Sequence, residues 1–256
     1  MPRARRTGPP VQDSFRDLGV AQRFSARVGP FSPAERARTA CGRLDRCARL
    51  LLPFAAKVYI VAAAAVSAMM FGAGQACIPV ADLAAARRRV YAVLTKGRFR
   101  ASADAFAVLF NLPWRLDPEA YSVVAPWRFL LGAIADAHVT ADRLVSMLAR
   151  PRVGGPCAAA AAGLRRAGVQ WEGAAWRGAL GSELRDPIGC PRAQVEEFLH
   201  DSWKATRWRA LCRVRGHFAQ VPNPDWEALQ PSLAAARPRD EQGGAWRVLC
   251  DAVAGL

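Results

Sequence analysis

The fold is decided by the stretch SPAERARTACGRLDRCARLL, residues Ser32–Leu51. Ser32 as N-cap, Pro33 at the first helical position and Glu35 three residues after the serine form a capping box, which predicts the start of a helix. Apolar residues then recur at steps of four and three and predict one buried face: Ala37, Cys41, Leu44, Ala48 and Leu51. The remaining arc carries arginines, offset nearby only by Glu35 and Asp45: Arg36, Arg38, Arg43, Arg46 and Arg49. The sequence therefore predicts a helix with a core side and a strongly cationic side.

Pro53 separates this helix from an almost wholly apolar one, predicted over residues 54–71 and closed by Gly72. A helix that is apolar on all sides has to be buried. The uncharged run Val58–Ala81 has the length of a bilayer crossing, but its end is interrupted by Gly72, Gly74, Gln75 and Pro79. The interruptions favour a buried bundle helix. The alternative is a helical membrane-associated or protein-interaction module anchored by residues 54–81.

A third helix is predicted from Pro79 to near Gly97, and its apolar stripe contains a cation. The stripe consists of Val80, Leu83, Ala84, Val90, Tyr91 and Leu94, and Arg87 falls within it. A cation on an apolar face needs a partner, which is an internal carboxylate, a helix C-terminus or a bound phosphate. Arg88 and Arg89 point away from the stripe, as a solvated face would.

The rest of the chain also reads as helical, with one clear break. Asp117-Pro118 repeats the signal of an N-cap followed by proline, and Pro151, Gly154, Gly155 and Pro156 interrupt the pattern. We therefore predict a basic tail with a short extended segment (1–31), a helical domain (32–150) and an Arg/Trp-rich helical region (151–256). The predicted fold class is mainly α: an irregular multi-helix bundle with a short N-terminal strand and a second, smaller helical subdomain.

The helix predicted from Pro191 to about Gly216 interleaves cations with indoles. The residues concerned are Trp203, Lys204, Arg207, Trp208, Arg209, Arg213 and Arg215. This pattern suits a nucleic-acid surface, with phosphates on the arginines and bases stacked on the tryptophans. The other interpretation is that both tryptophans pack inward and the arginines only solvate the outer face.

The net positive charge of the chain indicates an acidic partner. The 256 residues carry 36 Lys and Arg against 21 Asp and Glu, a formal charge of +15. The hydrophobic content of 52% excludes a wholly disordered chain, and a mean hydropathy of +0.02 excludes a polytopic membrane protein. On this composition the expected partner is nucleic acid, that is RNA, DNA or an RNA–DNA hybrid bound through its phosphates.

The motifs that would indicate catalysis are missing from the sequence. No phosphate-binding loop, dinucleotide fingerprint, nucleophile elbow or zinc-protease motif occurs. We expect no cofactor and no metal site, and the sequence leaves the oligomeric state open. The seven cysteines are scattered and include no CxxC pair, so we expect an intracellular, reducing compartment, with nucleus and cytoplasm not distinguished.

The order of features along the chain resembles a known family. Arg16-Asp17-Leu18-Gly19-Val20 is similar to the strand that ends the palm in reverse transcriptases of non-LTR (LINE-like) retrotransposons. The spaced arginines from Arg36 to Arg49 and the Pro-led apolar segment are similar to the thumb that follows. Further similar pieces are Leu52–Lys57, Val61–Ala65 with Phe71-Gly72, Leu83–Gly97, Leu116–Pro118 and Leu164–Trp171.

This resemblance implies a thumb that grips a template–primer duplex, followed by a helical connection and an arginine-rich extension. The nucleic-acid-binding residues would then be Arg36, Arg38, Arg43, Arg46, Arg49, Lys57, Arg87, Arg88, Lys204, Arg207, Arg209 and Arg213. The parent family is an RNA-directed DNA polymerase, but its catalytic aromatic-x-Asp-Asp turn has no counterpart here, because no Asp-Asp occurs in the sequence. No catalytic residue carries over. We therefore expect a fragment or decayed copy, inactive alone, with a noncatalytic nucleic-acid-binding role.

Overall fold

The computed structural model describes residues 14–17, 20–23, 33–75, 77–94, 103–109, 112–149, 155–172 and 174–214. The protein is mainly α-helical, as predicted. The helices are α1 (Pro33–Arg49), α2 (Phe54–Ile60), a π-helical segment (Val61–Val66), α3 (Ser67–Met69), α4 (Val80–Leu94), α5 (Ala103–Leu109), α6 (Pro118–Ala135), α7 (Ala141–Ala149), α8 (Gly155–Ala167) and α9 (Arg192–Val214). An N-terminal antiparallel hairpin pairs β1 (Ser14–Asp17) with β2 (Val20–Arg23). A second antiparallel sheet has the order β3 (Gln170–Glu172), β4 (Ala175–Arg177), β5 (Glu183–Arg185).

Helix α1 begins at Pro33, where the capping box predicted a start. Among the α1 side chains that the structure describes, Ala40, Leu44 and Cys47 are buried, whereas Cys41 and Ala48 of the predicted stripe are half-buried; the side chain of Ala37 lies outside the described residues. The helix ends at Arg49, so Leu51 leaves the helical phase and is 95% exposed. The prediction placed Leu51 in the core, and this was wrong.

Helix α2, the π-helical segment and α3 form one continuous apolar helix, residues 54–69, which runs antiparallel to α1. Three hydrogen bonds to backbone carbonyls fix the register. Arg36 Nη1 donates to Phe71 O (2.6 Å), Arg43 Nη1 to Ala64 O (2.8 Å), and Lys57 Nζ to Ala48 O (3.3 Å). Among the described helices, none combines the length and the apolar character that a bilayer crossing needs.

Helices α6, α8 and α9 pack around the most deeply buried part of the core. Gly163 of α8 lies so close to α6 that a Cβ atom there would come within 2.9 Å of the Val123 carbonyl oxygen. Trp127 of α6 donates from Nε1 to the Ala160 oxygen of α8 at 3.2 Å. One cluster of buried apolar side chains has members from Ala40 to Trp203. It therefore includes residues on both sides of the predicted boundary at 151.

The sheet β3–β5 was not predicted from the sequence. It lies after α8, where Trp171 of β3 is paired with Trp176 of β4. The Trp176 ring is completely buried and meets Trp127 of α6 edge-on, with ring centroids 4.4 Å apart. Trp171 and Trp176 therefore attach a small sheet to the helical core.

Helix α9 shows where the two tryptophans of the interleaved Arg/Trp segment lie. Trp203 is 1% exposed and Trp208 is 2% exposed, so both indoles pack inward and do not stack on bases. Residues 215–256 of the predicted helical region lie outside the described residues, and so do residues 1–13 of the predicted basic tail.

Candidate nucleic-acid interface

The predicted phosphate-binding cations fall into an exposed group and a buried group. The exposed side chains are Arg43, Arg46 and Arg49 on α1, Arg88 on α4, and Arg209 and Arg213 on α9. Arg36 is half-buried, and its guanidinium lies over the Phe71 ring at 5.2 Å. Arg38 belongs to α1, but its side chain lies outside the described residues. Of the predicted cations whose side chains are described, the exposed group presents its guanidinium groups to a partner.

Three members of the predicted set are buried and a fourth, Arg207, is partly buried in an ion pair, so for these four a phosphate contact does not fit the geometry. Lys57, Arg87 and Lys204 are 2%, 6% and 4% exposed. Lys204 pairs with Asp201 at 2.9 Å, and Arg207 pairs with the largely buried Glu119. Arg207 looks exposed in sequence because its partner Glu119 is 88 residues away along the chain. We therefore correct the candidate interface by leaving these four residues out.

Arg87 is the centre of a buried ionic network. Its Nε donates to Asp117 Oδ2 at 2.8 Å, and its Nη1 lies 2.8 Å from Asp104 Oδ1 and 2.9 Å from Glu119 Oε2. Its guanidinium also lies 5.5 Å from the ring centroid of Trp203. The partner required by a cation on an apolar stripe is thus an internal carboxylate, which was one of the three predicted alternatives.

Asp117 joins this network to the start of α6. Its Oδ1 caps the helix by accepting from the backbone nitrogens of Glu119 (2.7 Å) and Ala120 (3.2 Å), as the Asp-Pro signal predicted. Its Oδ2 accepts from Arg87 and from the Tyr91 hydroxyl. One carboxylate therefore fixes the N-terminus of α6 and the buried face of α4 together.

Burial and charge oppose each other within the network. Desolvation disfavours the charged form of Arg87, but the surrounding Asp117, Tyr91, Glu119 and Asp104 raise the pKa of the guanidinium. Desolvation raises the pKa of Glu119 against the attraction of Arg87 and Arg207. Since its carboxylates are bound to guanidinium groups, we assign the network a structural role.

Three exposed arginines of α1 lie off its buried face, and we call them the arginine face: Arg43, Arg46 and Arg49. Helices α1 and α4 are neighbours, and Arg89 reaches across to α1, where its Nη1 lies 2.8 Å from Cys41 Sγ. The predicted set included Arg88 but not Arg89, although both residues lie off the apolar stripe. Arg88, the residue before Arg89, points about 100° away from Arg89 around the axis of α4. Among the described residues, Arg46 and Arg49 have no carboxylate within ion-pair distance.

A separate open cleft of about 420 Å³ lies between α9 and the segment before α6, and it includes His200. Desolvation, assisted by the charge of Lys204 and opposed by a hydrogen bond with the Leu112 backbone, lowers the pKa of His200 to about 3. The ring stacks on Trp203 with centroids 6.0 Å apart. His200 is therefore a neutral imidazole at physiological pH and adds no cation for phosphate.

We expect His200 to make the protein less stable in mild acid. Its pKa is lower in the folded chain than in the unfolded chain, so the unfolded chain binds the extra proton between pH 6.5 and 3. Stability therefore falls as the pH drops through this window, and His200 contributes about 2 kcal/mol of the loss between pH 6.5 and 4.5. Urea unfolding of the wild type and of His200→Phe at both pH values measures the difference. Equal losses in both proteins would contradict the assignment.

We also examined the described residues for a metal site. No three His, Cys, Asp or Glu side chains among them are arranged to hold a metal ion. The candidate site is the arginine face, and its assignment rests on geometry and charge. Comparisons of the chain with protein-family models, with curated proteins and with solved structures give no match.

Proposed function

We propose that this chain is a noncatalytic helical region that binds nucleic acid through the arginine face. The observation that carries the proposal is the division of α1 into two sides. Ala40, Leu44 and Cys47 are buried in the bundle, while Arg46 and Arg49 are exposed on the other side. A rigid helix with one side fixed in a core and the other covered by guanidinium groups suits a phosphate backbone.

The resemblance to LINE-like reverse transcriptases supports this proposal and specifies the binding element as a thumb. A thumb needs a cationic side towards the duplex phosphates and an apolar side towards its own bundle, and α1 has both. The Pro-led apolar helix that follows packs antiparallel to α1 and supports it. Since the family's Asp-Asp signature has no counterpart in the sequence, we propose binding without polymerisation.

The proposal is tested by binding of the purified chain to an RNA–DNA hybrid across a salt series. Each phosphate contact releases counterions and contributes about −0.9 to the slope of log K against log salt, so contacts from three arginines give a slope of about −3. A basic protein of equal net charge serves as the control. Affinity clearly above that control supports the arginine face as a binding surface. Affinity equal to the control contradicts it and leaves an interaction module whose charge has no specific role.

A further inference from the structure

Arg43 differs from the other two members of the arginine face because it is tied to the neighbouring helix. Its Nη1 donates to the Ala64 carbonyl oxygen at 2.8 Å, across the contact between α1 and the apolar helix. Among the described residues, Arg46 and Arg49 have neither a hydrogen-bond acceptor nor a carboxylate within ion-pair distance. The arginine face therefore combines one fixed guanidinium with two that are free to change rotamer.

The three arginines of the face form one row along α1. They follow one another at steps of three residues, so the Cβ atoms of neighbours lie about 5–6 Å apart. Each step also turns the row by about 60° around the helix axis. The bond between Arg43 and Ala64 shows that the Arg43 end of the row lies against the apolar helix. The row therefore leads from the contact between the two helices to the outer side of α1.

The bond to Ala64 leaves most of the Arg43 guanidinium available to a ligand. A guanidinium group has five N–H donors, and Ala64 accepts from Nη1. The side chain is exposed, and its Nε and Nη2 have no acceptor among the described residues. Two N–H groups of a planar guanidinium can bind two phosphate oxygens together. Because the bond to Ala64 already holds the side chain, Arg43 loses less conformational entropy on binding than an untied arginine.

We propose that Arg43 is the anchor of the arginine face, which holds one phosphate in a fixed position through Nε and Nη2, whereas Arg46 and Arg49 act on adjacent phosphates as charges. The inference rests on the proposed function and gives Arg43 a positioning role that net charge does not provide. A lysine has a single ammonium group, so it cannot bond Ala64 and also present a planar fork to phosphate. Position 43 should therefore require arginine, and positions 46 and 49 should accept lysine.

The test measures binding of the full chain to the RNA–DNA hybrid with variants that conserve charge. We expect Arg43→Lys to weaken binding by roughly 5-fold or more. The salt slope should stay the same, because the number of released counterions does not change. Arg46→Lys is the matched control and should stay within about 2-fold of the wild type.

Two further measurements separate an anchor from a structural role. Arg36→Lys removes the equivalent bond to the Phe71 carbonyl, from a half-buried residue outside the arginine face, and should bind as the wild type does. NMR of the guanidinium groups in the free protein should show hindered rotation for Arg43 and free rotation for Arg46 and Arg49. Free rotation of the Arg43 guanidinium would overturn the anchor.

The outcomes also separate this inference from the proposed function. If the wild type binds the hybrid above the charge-matched control, but Arg43→Lys and Arg46→Lys lose the same affinity or none, the anchor is overturned and the arginine face remains. If Arg36→Lys weakens binding as much as Arg43→Lys, both bonds act through the packing of the two helices, and the anchor is again overturned. If the wild type binds no better than the charge-matched control, both proposals fail.

Discussion

Replacing Arg87 by methionine is expected to lower the free energy of unfolding by about 3–5 kcal/mol. The substitution keeps the length of the apolar stem but removes the guanidinium that Asp104, Asp117 and Glu119 share. Asp117 is 2% exposed, so its carboxylate would remain in the interior with its charge no longer balanced by a cation. Glu119 would still pair with Arg207.

Chemical unfolding monitored by far-UV circular dichroism measures this loss. The control is Arg88→Met, which changes the neighbouring exposed residue of the same helix and is expected to stay within about 0.5 kcal/mol of the wild type. If Arg87→Met does not fold, Arg87→Lys retains the charge without the fork of donors and should show a smaller, measurable loss. A loss below about 1 kcal/mol in Arg87→Met would show that the network does not hold α4, α5 and α6 together.

The starts of several helices could be predicted because their signals are local. Pro33, Pro79 and the Asp117-Pro118 pair each mark a start within a residue of the observed one. As the cap of α6, Asp117 accepts hydrogen bonds from the backbone nitrogens two and three residues after it. A short window of sequence therefore contains both partners of the cap.

The partners of the buried cations could not be predicted in the same way. Helical phase shows that Arg87 lies on an apolar stripe, but Asp117 is thirty positions away and only tertiary packing brings the two together. The same reason explains the error at Arg207, whose carboxylate partner Glu119 belongs to α6. Phase shows which side of a helix a cation occupies, whereas its exposure depends on the elements that pack against that side.

The second sheet was missed for a different physical reason. Strands β3, β4 and β5 have three residues each, too few for an alternating pattern to be distinguished from a loop. Their position is fixed by the burial of Trp176 against Trp127, a contact between distant parts of the chain. The exposed arginines of α1, in contrast, follow from phase alone, because a helix with one apolar side leaves its other side to solvent.

Reversing two charges of the arginine face, Arg46→Glu with Arg49→Glu, is expected to weaken binding to the RNA–DNA hybrid by at least about 30-fold at low salt. A charge-assisted phosphate contact contributes about 1 kcal/mol, so the loss of two contacts costs about 2 kcal/mol, which corresponds to about 30-fold in affinity. Repulsion between the new carboxylates and the phosphates would add to this loss. The salt slope should also become shallower by about 2, since two fewer counterions are released. Helicity should be unchanged, because both side chains are exposed.

The matched control separates a defined surface from net charge. Arg177→Glu with Arg185→Glu alters charge by the same amount, and both arginines are exposed on the small sheet, with side chains 55% and 88% accessible. If phosphate contacts are made by α1, this control weakens binding only through the general field of the protein, which salt screens. Equal losses in the two double variants would mean that the chain attracts nucleic acid through its overall charge. A steep loss confined to the α1 variant places the contact on the side of α1 that the core leaves open.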